Sequence, residues 1–424
     1  MRYRTARPLP LLLGIIIGSL LCACSNSEGV DYANYAEITT NSEEYWNTKV
    51  DYLPLDDSEY PYAGIPRIVI ETENHREIKD RETEIPAKLQ IWGEHAPESE
   101  VMELTIRGRG NSTWGYPKKP YAIKFNEKQA FLGMPKAKKW VMLANYRDRT
   151  LIRNAVAFEI ARRTSLAWTP SGKFVDVFLN KKFIGNYYVC EKIEVKKNRL
   201  ELDEDSFLLE YDSNYDEDFK FKSKFNDFPI NIKHPKEPSD SQFNYIQNYI
   251  NDAEHALHLA DNDTCYLSFI NQESFADYFI VYALTTNGEL GHPKSTFIYK
   301  NFNGTLTAGP VWDFDYSTFD VNKKGFTNKT TVFVSQFLEK DAFKKILPQR
   351  WSFIKSKLSD IDEFIDSLSN YIVLSNKSNY AIWPINIHRN TVGDEKKNFN
   401  DAINMLKKAI HSKIFEIDSL LQSL

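Results

Sequence analysis

The sequence predicts an α+β protein of two lobes, a β-rich N-terminal half and a helical C-terminal half, with a cleft between them. Three observations carry this. From Ile65 to about residue 238, apolar residues alternate in short runs separated by Gly, Asn and Lys turns, which is the period of strands. From about Ser239 they recur every three to four residues, the period of helices set against a core. The helical half is then interrupted by a hairpin that ends in the acidic, aromatic stretch "GPVWDFDYSTF" (309–319). A chain of 424 residues, 42% of them hydrophobic, can bury a core of this size, and its net charge of −5 carries no basic stripe of the kind that binds nucleic acid.

The N-terminus reads "MRYRTARPLPLLLGIIIGSLLCAC". Arg2, Arg4 and Arg7 precede an apolar run from Leu9 to about Leu21, too short for a comfortable membrane span. "LCAC" resembles a bacterial lipobox with Cys24 as the lipidated residue, so residues 1–24 are expected to be a lipoprotein signal peptide. The expected location is the cell envelope, lipid-anchored, at the outer membrane or cell surface. Residues 25–64 are acid-rich without clear period and are expected to form a tether. Of the remaining cysteines, Cys190 and Cys265 can pair or stay as buried thiols.

The domain proper begins with strands at "RIVIET" and Ala87–Gly93. "VMELTIRGRGNSTWGYPKKPYAIKF" gives strand, Gly-rich turn and strand. "RDRTLIRNAVAFEIARRT" reads as a helix capped by Asp148, with Arg162 and Arg163 at its C-terminal dipole. A hairpin turns near Asn180–Lys182, and "SFLLEYD" is a further strand. Two helices follow, in "SQFNYIQNYINDAEHALHL" and "NQESFADYFIVYALTTN"; then strands at Thr296–Lys300 and Thr305–Ala308 around an Asn303-Gly304 turn, and helices again from Lys340.

Three constellations can carry chemistry. Glu289, a hairpin, and then Asp313 and Asp315 form a loop carboxylate followed by an acidic pair, an order that also carries the chemistry of protein kinases. Asp313 and Asp315 suit a magnesium or manganese ion, and Glu289 suits a proton acceptor for an attacking hydroxyl. The same acids would equally serve as a turn cap (Asp315) and an arginine partner (Asp313). The Gly-rich turn offers Arg109, Asn111 and backbone N–H groups to phosphates, with Lys118, Lys119 and Lys124 following. Glu191, among apolar strand residues, either pairs with Lys124, binds a metal, or simply faces the surface of its strand. His292 lies in the same loop as Glu289.

Taken together, "RGRGNSTWGYPKKPYAIKF", "LANYRDRTLIRNAVAFEIAR", "FVDVFLNKKFIGNYYVCEKIE", "FADYFIVYALTTNGE" and "GPVWDFD" resemble the spore coat protein H (CotH) kinase family. The resemblance implies an atypical protein-kinase-like fold over residues 65–424, its β-rich lobe at about 65–238 and its helical lobe at about 239–424. It implies Mg-ATP as donor and Ser or Thr of a surface or secreted protein as acceptor. Asp313 then matches the metal-binding aspartate and Asp315 the second acid. Lys124 looks like the phosphate-contacting lysine, with Lys119, Arg109, Asn111 and Glu191 around the nucleotide. Where active members carry an Asp and then a "KN" pair, this chain has Glu289 and Lys294-Ser295, which makes Glu289 the base and Ser295 a metal ligand. Two alternatives stay open: a kinase-like binding or assembly module, using Trp114, Tyr116, Trp312 and Tyr316 as a recognition surface, and a glycosidase using Glu289 with Asp313.

Overall fold

The computed structural model describes residues 49–291, 293–315, 317–325, 332–384 and 392–422. The signal peptide with Cys24, the first part of the tether, His292 and Tyr316 lie outside the described residues. The fold is mixed α+β, with a β-rich N-terminal half and helices toward the C-terminus.

Seven strands close into a barrel: β1 (Arg67–Thr72), β2 (Ile85–Trp92), β3 (Met102–Gly108), β4 (Tyr121–Phe131), β5 (Met134–Leu143), β6 (Gly172–Leu179) and β7 (Lys182–Glu191). Their order is β1-β2-β3-β4-β5-β7-β6, and β1 closes the barrel by pairing parallel with β6. Alternate residues point inward, so Ile68, Leu89, Ile106, Ile123, Trp140, Val177 and Val189 fill the interior. β5 is not among the strands expected from periodicity, because the lysines of "MPKAKKWVML" mask its alternation.

Between β5 and β6 lies α1 (Arg153–Arg162). It starts later than a cap at Asp148 requires. Leu151 takes φ 62°, and the Asp148 carboxylate accepts from the backbone N–H of Thr150 and of Arg153, each at 2.8 Å. Asp148 thus serves the approach to the helix and not its N-cap.

The second body is a five-stranded sheet backed by helices. β8 (Phe207–Tyr211), β9 (Lys220–Lys222), β10 (Pro229–His234), β11 (Thr296–Lys300) and β12 (Thr307–Ala308) lie in the order β12-β11-β8-β10-β9. Around it run α2 (Asp240–Leu257), α3 (Gln272–Leu284), α4 (Val332–Glu339), α5 (Asp341–Ser356), α6 (Ile361–Ile382) and α7 (Phe399–Leu421). A division near residue 238 would cut this sheet, because β11 from the helical half pairs with β8 from the β-rich half, Ile298 opposite Leu209. The two bodies meet after β7 instead. α3 is buried on every side, which explains a segment apolar all round, and its core also takes in α1 through Phe158.

Two sets of contacts brace the barrel from outside, one of them from the second body. α6 lays a polar face on the barrel: Ser375 Oγ donates to Asp176 Oδ1 at 2.5 Å, and Asn379 Oδ1 accepts from Lys118 Nζ at 2.8 Å and from Asn186 N at 3.1 Å. At the other end, the last part of the expected tether folds onto the barrel. Leu53 packs with Val69, Trp92 and Phe178, and its N–H donates to Gln90 Oε1 at 2.6 Å. Cys190 and Cys265 are both free thiols, Cys190 buried and Cys265 exposed.

Candidate active site

A cleft of about 930 Å³ opens between the barrel and the second sheet. Its barrel wall is the outer face of β4, β5 and β7. Ala122 opposes Val141 across β4–β5, Val141 opposes Cys190 across β5–β7, and Lys192 continues the Cys190 face one pleat further on. The Gly-rich turn from Arg109 to Thr113 overhangs this wall. Gly110 has φ 82°, and a Cβ there would lie 2.0 Å from Thr113 Oγ1, so the turn requires glycine. Arg81 Nη1 holds it by donating to Gly110 O at 3.1 Å and Asn111 Oδ1 at 2.6 Å. The facing side is built from Leu208, Glu210, Asp212, Lys233 and Phe297 of the second sheet, with Glu289, Ser295, Asp313 and Asp315 beside them.

The alternation of "WDFD" separates two jobs. Trp312 and Phe314 enter the core, where Trp312 stacks on Phe158 at 5.8 Å and Phe314 lies 5.3 Å from the Tyr282 ring. Asp313 and Asp315 are thereby turned to the cleft. Asp313 holds φ 68°, a left-handed conformation uncommon outside glycine, and several contacts keep it there. Asn287 Nδ2 donates to Asp313 O at 2.7 Å, and Phe314 N donates to Asn154 Oδ1 at 2.9 Å. Asn287 Oδ1 also accepts from Glu289 N at 2.7 Å, which ties the Glu289 loop to the same turn.

The electrostatics follow from this crowding. Burial and the neighbouring Asp313 carboxylate push Glu289 up to about 8. Burial, Asp313 and then Asp148 push Asp315 up to about 8. Burial also raises Asp313, against the pull of the Arg109 guanidinium, and the carboxyl groups of Asp313 and Asp315 share a hydrogen bond. Arg109 is the counter-charge at this end, and its guanidinium lies 5.7 Å from the centre of the Trp312 ring. An all-oxygen donor set this crowded fits a hard divalent cation, which would relieve the repulsion. Among the described residues no group of three or more His, Cys, Asp or Glu is arranged to hold a metal. Asp313 and Asp315 are the residues that would hold such an ion.

The cleft brings together Glu289, Asp313, Asp315, Ser295, Arg109 and Asn111. It does not include Lys124, Lys119 or Glu191. Lys124 shares its strand face with Ala122 but lies two residues further along β4, where it pairs with Glu84 at 3.3 Å and is half-exposed. Lys119 Nζ donates to Trp114 O at 2.7 Å and lies over that indole. Glu191 turns the other way from Lys192 and is paired with Arg199, and it also accepts from Ser171 N at 2.9 Å, so Arg199 and not Lys124 is its ion-pair partner.

Sequence reasoning missed Lys192, Asp212, Glu210 and Lys233, and named Lys294 only as the neighbour of Ser295; all of them line the cleft. Lys233 is committed to Glu210 at 2.9 Å and to Glu217. Lys118 is committed as well, to Ala144 O at 2.8 Å, Asn186 O and Asn379 Oδ1. Lys192 and Lys294 have no carboxylate within ion-pair distance among the described residues, and burial lowers Lys192 to about 8. The register of β7 was the available signal: a residue next to Glu191 must face the opposite side of the strand.

The fold and this cleft define an α+β protein in which acids from one body face a Gly-rich turn and basic side chains from another. The family model described as CotH kinase protein matches residues 106–412, and the chain belongs to that family. No curated protein matches the chain.

Proposed function

We propose that the protein is a metal-dependent phosphotransferase of kinase-like, two-lobed plan, with the barrel and the helix-backed sheet as its lobes. The observation that carries this reading is the convergence of Glu289, Asp313 and Asp315 in one cleft opposite Arg109 and the Gly-rich turn. A magnesium or manganese ion would supply charge neutralisation for phosphate oxygens at this place. Asp313 and Asp315 would hold it, with Ser295 close by. Arg109, Lys192 and Lys294 would meet the anionic part of ATP. Glu289 would accept the proton of an attacking hydroxyl, once a cation had drawn its affinity for protons down from about 8. The acceptor would be a Ser or Thr of a surface or secreted protein, and the chain would reach it from the cell envelope, anchored by lipid on Cys24.

A second reading is a kinase-like binding module for surface proteins or glycans. It is favoured by the placement of Lys124 outside the cleft and by Ser295 where an asparagine would bind metal better. Thermal unfolding with Mg²⁺ and ATP separates the two. Stabilisation of roughly 2.7 kcal/mol at one hundred times the dissociation constant supports a nucleotide site. Transfer of labelled γ-phosphate to protein then supports the enzyme. Stabilisation by no nucleotide with either Mg²⁺ or Mn²⁺ would leave the binding module.

A further inference from the structure

We infer that Asp394, which lies between α6 and α7, is a positioning residue for the Asp313–Asp315 turn; the inference rests on the phosphotransferase reading. The path is short and buried throughout. The Asp394 carboxylate pairs with Arg153 Nη2, and Arg153 Nη1 donates to Asp148 Oδ1 at 2.5 Å. The backbone N–H of Arg153 also donates to Asp148 Oδ2 at 2.8 Å. Arg153 is 2% exposed, and Asp148 and Asp394 are fully buried, so the first turn of α1 is pinned through both its backbone and its guanidinium. The next residue, Asn154, reaches the acidic turn: its Oδ1 accepts from Phe314 N at 2.9 Å, between the two acids, while its Nδ2 donates to Asn145 Oδ1 at 3.0 Å. A residue on the α6–α7 connection thus holds the α1 turn from which the acidic turn hangs.

Other contacts from the same part of the chain support this role. Tyr380 OH on α6 donates to Asp148 O at 2.7 Å. Lys413 Nζ on α7 donates to Lys323 O and Gly325 O, each at 3.1 Å. Lys323 Nζ in turn donates to Ser317 O at 2.7 Å and Thr286 O at 3.0 Å, on the far side of the acids. The acidic turn is therefore gripped from both flanks by the last two helices and their connection. Asp394 suits this role because it and Asp148 share one arginine. Asp394→Asn leaves Arg153 with Asp148 as a neutral pair.

The test uses the full chain. Amide hydrogen exchange is followed at Phe314 in metal-free protein, and Mn²⁺ affinity is measured from the spin-resonance signal of the free ion. Asp394→Asn is expected to speed exchange at Phe314 about tenfold, with the β8 amides unchanged, and to weaken Mn²⁺ binding about tenfold. Asp394→Glu is expected to recover part of both. Ile250→Val, which shortens a core side chain on α2, serves as the structural control and should alter neither. Exchange at Phe314 that is unchanged, or that rises only in proportion to β8, overturns the inference. Unchanged Mn²⁺ affinity beside faster exchange also overturns it. If the unsubstituted chain binds no Mn²⁺, the metal reading itself fails, and exchange at Phe314 alone then decides whether Asp394 positions the turn.

Discussion

The side chain of Asn287 bonds the backbone of Asp313, its Nδ2 donating to Asp313 O at 2.7 Å, while its Oδ1 accepts from Glu289 N. One amide therefore sets the separation of two carboxylates that come from different loops. Asn287→Ala should cost about 1–3 kcal/mol, because it leaves a buried N–H and carbonyl without partners. It should lower phosphoryl transfer far more than it weakens nucleotide binding. Paired thermal unfolding and steady-state kinetics check this.

Asp313→Asn should act in opposite directions on the free and the loaded protein. Above about pH 8, where Glu289 and Asp315 are ionised beside it, removing the Asp313 charge relieves repulsion, so the metal-free chain should melt higher there. Stabilisation by Mg-ATP should disappear. A melting curve that is unchanged in both states would rule out the assigned role of Asp313.

Stability should fall as pH rises in the presence of chelator. Glu289 and Asp315 bind protons up to about 8 in the fold, against ordinary values of 4.5 and 3.8. Between those limits the folded chain holds more protons than the unfolded chain, so raising the pH favours unfolding. Contributions from these groups are intact below about pH 4 and lost by about pH 9. Added Mg²⁺ should flatten the profile between about pH 6 and 9. A midpoint that does not respond to Mg²⁺ anywhere in that range would contradict the proposed cation site.

Two lysines on the barrel should behave differently. Lys124→Ala should leave ATP binding unaffected, because Lys124 is spent on Glu84 outside the cleft. Lys192→Ala should weaken it about tenfold, roughly 1.4 kcal/mol. Calorimetric titration of both variants decides between them, and equal losses would count against the cleft described above.

Asn379→Leu should be structural in its effect. Lys118 Nζ is buried with Ala144 O, Asn186 O and Asn379 Oδ1 as acceptors, and the substitution removes one of them. A loss of about 2–3 kcal/mol is expected from a charged donor left short of a partner. Denaturant unfolding measures it.

Much of this architecture can be read from periodicity. The strands at "RIVIET" and "SFLLEYD", the Asn180–Lys182 hairpin and the helices from Ser239 onward follow their patterns closely, because each buries one face or one stripe. β5 escapes because Lys136, Lys138 and Lys139 break the alternation of a strand whose outer face is partly solvated. A division near residue 238 puts β8 to β10 in the wrong body, since no local pattern records that Leu209 will pair with Ile298 across two intervening helices. In the cleft, the acids stand out because carboxylates beside Trp312 and Phe314 demand a reason. Lys192 and Asp212 do not, since only strand register and sheet pairing reveal which way they face.

The barrel is assembled from one unbroken stretch, residues 67–191, and closes on itself by the β1–β6 pairing. A nascent chain can complete it well before β11, the acidic turn or Asp394 has been synthesised. Until then α1, whose Val156, Phe158 and Ile160 pack into the second body, has nothing to cover its apolar surface. During synthesis this exposed helix is an aggregation hazard, so substitutions that delay the second body should reduce yield before they reduce stability.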